Sequence, residues 1–405
     1  MRFHKSLVAA AAAILLALVL PTFASADSLV FVKGGDVWLS EPDGSRQTRL
    51  TGTGGYKYAS QSENGVIAAS RGSRVQVLSR SGQVLEDFAT SVGDNDAYGP
   101  FDTEISPDGK NIAYEYFHYS DFWGLRVGVA YINIASGKHV GETQTGWSFP
   151  AWFDNQRLFH SGAPSMVHTD VMIRELGEPN NTAVEWFSHP EAGDLRDGDI
   201  SRDGSRLAFV GGEDGELLLV YRLGGEAPAN SPEYCYHYFE GAGKYRDPAI
   251  SPDGRRLAWQ DDDGIHVGPL PDLSAGCSMP ENEGSLVIPG AINPDWGPGN
   301  VPAPAKPSIR LAGRQKLGPA LNRGLLLAVT GLSAGTPIKA SLPAGAARKL
   351  GLGRKAAVVA TGKTGSGSKA RVRFRSKLVR KLRKAKSLTL TVTAGAARAQ
   401  LSLPR

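Results

Sequence analysis

Asp102, Asp197 and Asp247 are the residues whose type and spacing could do chemistry. Each stands three residues before an Ile that leads into a Ser-x-Asp-Gly turn. Carboxylates at equivalent points of a repeat that closes on itself face one axis. There they could hold a hard cation through oxygen ligands or receive a basic side chain from a partner. The plainer reading is that each Asp accepts backbone N–H groups in its own entry turn. The matching positions elsewhere, Tyr58, Phe149 and Pro289, carry no carboxylate, so the ring is incomplete and no bound metal is expected.

A second candidate is the aromatic run from Glu115 to Trp123, read as a long loop on the same side of the molecule. Tyr116, Phe117, Tyr119, Phe122 and Trp123 would offer a rigid contact surface for protein or sugar. Folded back, the same rings would cap the channel. His160 and His168 are expected nearby, but no two His stand at a metal-binding spacing and no zinc site is expected.

Repeated turns must position these residues. Ile105-Ser-Pro-Asp-Gly-Lys-Asn-Ile-Ala-Tyr114, Ile200-Ser-Arg-Asp-Gly-Ser-Arg-Leu-Ala-Phe209 and Ile250-Ser-Pro-Asp-Gly-Arg-Arg-Leu-Ala-Trp259 are copies of one unit, with degraded copies between them. Pro presets φ, Asp bonds its own backbone and Gly tolerates positive φ, so each copy turns one strand into the next. Aligned turn residues Asn64, Asp108, Asn155, Asp203, Asp253 and Asp295 are 44, 47, 48, 50 and 42 residues apart. A period in that range, at about four strands each, is that of a β-propeller blade. Residues 27–51 read as a second, third and fourth strand lacking a first, and Ile292 to Trp296 as a first strand lacking successors. Joined, they complete a sixth blade and hide the sheet edges. The expected fold is all-β: a six-bladed propeller over 27–297, closed by a composite blade, then a Pro-rich linker at 298–307 and a small β-sandwich at 308–405.

The Ser-Pro-Asp-Gly-x-x-Leu/Ile-Ala copies and the Arg49-Leu50-Thr51 strand ending resemble the TolB-like, WD-repeat-like propellers of secreted bacterial proteins. That resemblance covers about residues 27–299. It implies the fold and leaves function open among partner-binding scaffolds, peptidase accessory domains and a few lyases. The C-terminal segment is similar, without a signature residue, to small immunoglobulin-like or fibronectin-like sandwiches.

Residues 1–26 read as a cleaved secretory signal peptide: Arg2 and Lys5, an apolar run from Leu7 to Leu20, then Ala24-Ser25-Ala26. The apolar run is short for a membrane span. Cys235 and Cys277 lie 16 residues before Ser251 and Asn293, matching places on adjacent blades, so a disulfide joining those blades is expected, with two separate buried thiols as the alternative. Charge divides sharply. Residues 301–405 hold 23 Lys and Arg with no Asp or Glu, leaving 22 basic and 40 acidic residues, a net −18, in the rest. The basic surface is read either as adhesion to an anionic cell-wall polymer, with nucleic acid not favoured, or as a solvated face.

Two motifs fail. Gly331-Leu-Ser-Ala-Gly335 resembles a nucleophile elbow, but Pro337 follows it and no acid or His comes later. Gly362-Lys363-Thr364 lacks the leading Gly of a phosphate loop, since Ala357 stands there. The expectation is therefore an exported, non-enzymatic protein with no cofactor, binding a peptide, protein or glycan at the channel face and held to the envelope by its basic domain. The alternative is a hydrolase or lyase on polysaccharide or peptide, using the three aspartates and His160.

Overall fold

Each Ser-x-Asp-Gly turn is held by its own side chains. Ser106 Oγ accepts from the Lys110 and Asn111 amides at 3.2 and 2.9 Å and donates to Asp108 at 2.9 Å. The same bonds recur around Ser201 and Ser251. Those serines are buried, and Gly109, Gly204 and Gly254 take φ of 71, 67 and 66° behind them. A buried hydroxyl with every lone pair used explains why Ser opens the repeat.

In this computed structural model the described residues are 27–90, 97–120, 124–143, 148–163, 166–177, 183–238, 244–280, 284–302, 307–332, 335–365 and 369–405. The expected signal peptide therefore lies outside the described residues. The chain divides into two compact units, Met1–Val301 and Pro302–Arg405. Val301 is buried with Val30, Tyr56 and Leu78, so the first residues after the last propeller strand pack on the propeller core.

The first unit is six four-stranded antiparallel sheets. The inner strands of blades 1 to 5 are Tyr56–Gln61, Ala97–Ile105, Ser148–Trp152, Arg196–Ile200 and Arg246–Ile250. Blade 6 is composite: Ala291–Pro298 is its inner strand, followed outward by Asp27–Lys33, Asp36–Ser40 and Thr48–Arg49. Leu29 pairs with Trp296 and Val32 with Ile292, and Arg256 holds Asp27 by an ion pair. Blades pack through apolar seams, such as the one joining Phe159, Trp186, Phe209 and Tyr221 between blades 3 and 4. Cys235, in the outer strand of blade 4, is disulfide-bonded to Cys277. Cys277 lies in the connection before the outer strand of blade 5, so the bond joins neighbouring blades at places that are not equivalent.

Side chains also hold backbone amides from blade to blade. Ser60 Oγ accepts from the Ile105 amide at 2.8 Å, Asp199 from the Ile250 amide and Asp295 from the Gln61 amide, both at 2.5 Å.

The second unit is one seven-stranded sheet that nearly closes, with Ser308–Leu311 lying against Ala397–Pro404. The small β-sandwich expected from the sequence takes the form of a two-layered, sandwich-like core made by one rolled sheet. It is built from three strand–helix–strand units, with helices Leu317–Arg323, Ala344–Lys349 and Ser376–Leu382. The first helix carries Pro319 in its first turn, where Pro is tolerated. Leu327, Ile338, Val372, Leu390 and Leu403 are among its buried core residues. No helix among the described residues is long and apolar enough to cross a membrane.

Candidate functional site

All six inner strands bulge near the channel. The register slips between Tyr56 and Ala59, Phe101 and Glu104, Ser148 and Pro150, Arg196 and Gly198, Arg246 and Ala249, and opposite Asn293. A bulge re-aims the extra residue. At five of them the backbone turns left-handed: φ is 38° at Asp102, 53° at Phe149, 40° at Asp197, 47° at Asp247 and 51° at Asn293. Asp and Asn tolerate that region better than most side chains. The composite blade thus places Asn293 where the sequence alignment puts Pro289. The slip arises because Trp296, not Ile292, occupies the motif's apolar position; Pro289 ends the outer strand of blade 5.

The three aspartates converge. One carboxylate oxygen from each of Asp102, Asp197 and Asp247 lies within 4.8 Å of the others. They form a waist between two chambers of about 320 and 330 Å³. The upper chamber, on the side of the connections between blades, is walled by Tyr58, Phe101, Phe149, Glu115 and Arg246. The lower one opens among the Ser-x-Asp-Gly turns. Asp247 accepts from Asn293 Nδ2 at 3.1 Å, and Asp197 receives only a long 3.5 Å contact from the Asp247 amide. The Asp102 carboxylate has no hydrogen-bond donor among the described residues. Turn capping therefore does not account for this tier.

Backbone N–H groups of the next blade do hold two members of a second tier that the sequence reading missed. Two residues further along the inner strands stand Glu104, Asp199 and Asp295, on blades 2, 4 and 6, with Ser60, Ala151 and Ala249 at the matching places of blades 1, 3 and 5. Asp199 and Asp295 are the latches to the next blade. The signal was available, since these positions share the period of the first three aspartates.

Burial pushes all six carboxyls up, and like charge adds to it at Asp102, Glu104, Asp247 and Asp295. Burial raises Asp199 to about 7 against two backbone N–H bonds, and Asp197 also rises. Glu115 is likewise held at about 7 by burial, although it accepts from the Phe149 amide at 3.1 Å. The Tyr58 hydroxyl is raised by burial and then by Asp247, Asp102 and Asp197, so it stays protonated beside them. Arg246 is the nearest guanidinium in the upper wall, and it pairs outward with Asp262 at 3.6 Å. At the lower mouth, Arg202 of blade 4 meets Glu63 of blade 1 at 2.5 Å, joining opposite blades.

No protein-family model and no curated protein matches the chain. Among solved structures it is similar to TolB from Acinetobacter baumannii, at 12% identity over 68% of this chain and 67% of that one, with a TM-score of 0.45. A putative TolB from Agrobacterium tumefaciens gives 15%, 68% and 94%, with a TM-score of 0.44. Oligogalacturonate lyase from Vibrio parahaemolyticus gives 12%, 58% and 68%, with 0.41. The likeness is one of fold; the six blades are read from this chain's own sheets.

The aromatic run needs correction. Residues up to Ser120 are not a loop but the end of the long strand Asn111–Ser120, which pairs with Gly124–Asn133. Tyr116 is buried in the core between blades 1 and 2, so it is packing rather than contact surface. Phe117 packs on Phe101 at 5.1 Å, which in turn meets Tyr58 at 6.4 Å. Tyr119 is 53% exposed, opposite the equally exposed Leu125. Phe122 and Trp123 lie outside the described residues. His160 is 1% exposed in the second strand of blade 3 and lines neither chamber, which removes it from a catalytic role in the channel. Strong burial holds its imidazole at about 3, hence neutral.

Proposed function

We propose that this is an exported, non-enzymatic binding protein whose channel receives the cationic end of a peptide or protein partner. The observation that carries the reading is the waist: three carboxylates within 4.8 Å of one another, largely left without donors by their own blades. Three oxygens at that separation suit an ammonium, which has three N–H donors to give. The chamber above favours an organic cation, because Tyr58, Phe101 and Phe149 wall the approach. Lys57 Nζ already sits 5.8 Å from the Phe101 ring. A hard metal ion would find three of the six to eight oxygens calcium takes and would draw the rest from water. The disulfide supports export to an oxidising compartment. The basic domain serves as the anchor to an anionic envelope surface.

The test is capture of short peptides on the immobilised full chain. Peptides with Lys, Arg or a free amino terminus should be retained and their acetylated or neutral counterparts lost. Equal retention of both would defeat the reading, and a rise in melting temperature with calcium but not with peptide would hand the waist to a metal.

A second reading, a hydrolase or lyase on polysaccharide or peptide, is favoured by Glu115. Its carboxyl, held at about 7 in the upper wall, is poised as a general acid. Turnover of oligosaccharides or peptides by the wild type, abolished in Glu115→Gln, would establish it.

A further inference from the structure

The anchoring half of that reading has an address in the sheet of the basic domain. Following the pairing across five strands, Arg373 lies opposite Thr361, Thr361 opposite Lys339, Lys339 opposite Thr393 and Thr393 opposite Arg398. These five side chains form one row on the outer face, because their neighbours Val372, Ile338, Ala340, Val392 and Ala397 point into the core. Arg373, Thr361, Lys339 and Arg398 are exposed and Thr393 is half-buried. Strands about 4.8 Å apart put successive cations of the row about 10 Å from each other, with a hydroxyl midway. The segment from 301 to 405 has no Asp or Glu to neutralise them.

We propose that this row is a docking track for a phosphodiester polymer without stacked bases, such as a polyol phosphate. Arg grips phosphate with paired N–H donors, and a Thr hydroxyl between two cations can donate to the same or the adjoining phosphate. A run of single cations, rather than a pocket, suits a flexible chain with regularly spaced charge. Nucleic acid is the less suitable occupant. Single strands are bound on aromatic platforms, and Phe374, half-buried against the core, is the only aromatic residue from 301 onward.

The inference rests on the anchoring reading and not on the channel. Its test is binding of poly(glycerol phosphate) to the full-length chain across a salt series, with single-stranded DNA and polygalacturonate as comparison polymers. The triple variant Arg373→Gln, Lys339→Gln, Arg398→Gln removes the row. A control of equal charge, Arg348→Gln, Lys349→Gln, Arg380→Gln, removes exposed cations from the helices. The row variant should lose at least tenfold in affinity and about 2 units of slope of log affinity against log salt, from about 0.7 per lost contact. The control should lose less than threefold. Equal loss in both variants would overturn the track while leaving a diffuse anchor, and tighter binding of DNA or polygalacturonate would overturn the polymer class. Failure of the wild type to bind any of the three would overturn track and anchor together.

Discussion

The two carboxylate tiers of the channel are two residues apart along the inner strands, yet Asp199 and Asp295 differ in fate from the three aspartates above. Asp199 and Asp295 are consumed by the fold, each holding a backbone amide of the next blade. Asp102, Asp197 and Asp247 receive little from the blades and crowd one another at the waist. One residue type in one repeat can thus be mortar at one position and a receptor at the next. What separates them is whether the neighbouring blade offers an N–H. The bulge decides that, because it turns the upper residue out of the ladder and toward the axis.

The comparison breaks first at the upper tier. Replacing Asp102, Asp197 and Asp247 together by Asn should weaken binding of a cationic peptide more than 100-fold, measured by calorimetry. The melting temperature should hold or rise, since three crowded buried carboxyls become neutral. The lower tier should behave the other way round. Asp199→Ala or Asp295→Ala leaves a buried amide unpaired, at a cost of about 1–3 kcal/mol in denaturant unfolding, with peptide affinity in the surviving folded protein nearly unchanged.

Acidity sharpens the contrast. These carboxyls are raised in the folded chain, so between their ordinary range near 4 and the folded values near 7 of Asp199 and Glu115 the native state holds more protons than the unfolded one. Stability of the unliganded protein should then fall as pH rises through that window, while affinity for a cation grows. Melting curves from pH 4 to 8 check the first part, and the triple Asn variant should show a shallower slope. The smallest effect is expected at the lower mouth. Glu63→Gln loosens an exposed pair across opposite blades, 40% and 47% exposed, and should change stability by no more than about 0.5 kcal/mol.

Much of the fold is legible in the sequence. The Ser-x-Asp-Gly copies announce the blades because the turn is closed by its own Ser and Asp, a local arrangement that sequence records directly. The composite blade is legible for the same reason: residues 27–51 and 291–298 each lack the strands the other supplies. The register of that last strand is not legible. Ile292 and Trp296 are both apolar, and only pairing of Trp296 with Leu29 decides which occupies the motif position. The aromatic run misleads because a strand of ten residues, Asn111–Ser120, is long for a blade, so its outer end reads as a loop. The second tier carries the same period as the first, but nothing in the sequence separates a latch such as Asp199 from a free carboxylate until the next blade's amide is seen.

One titration tests the waist most directly: a lysine-bearing tripeptide added to the full-length wild type and to the Asp102→Asn, Asp197→Asn, Asp247→Asn variant, at pH 8 and moderate salt. Saturable binding by the wild type that falls at least 100-fold in the variant, with both proteins equally folded, is the expected result. Equal affinity for the two proteins, or no binding by either, would contradict the claim that the waist is a receptor for positive charge.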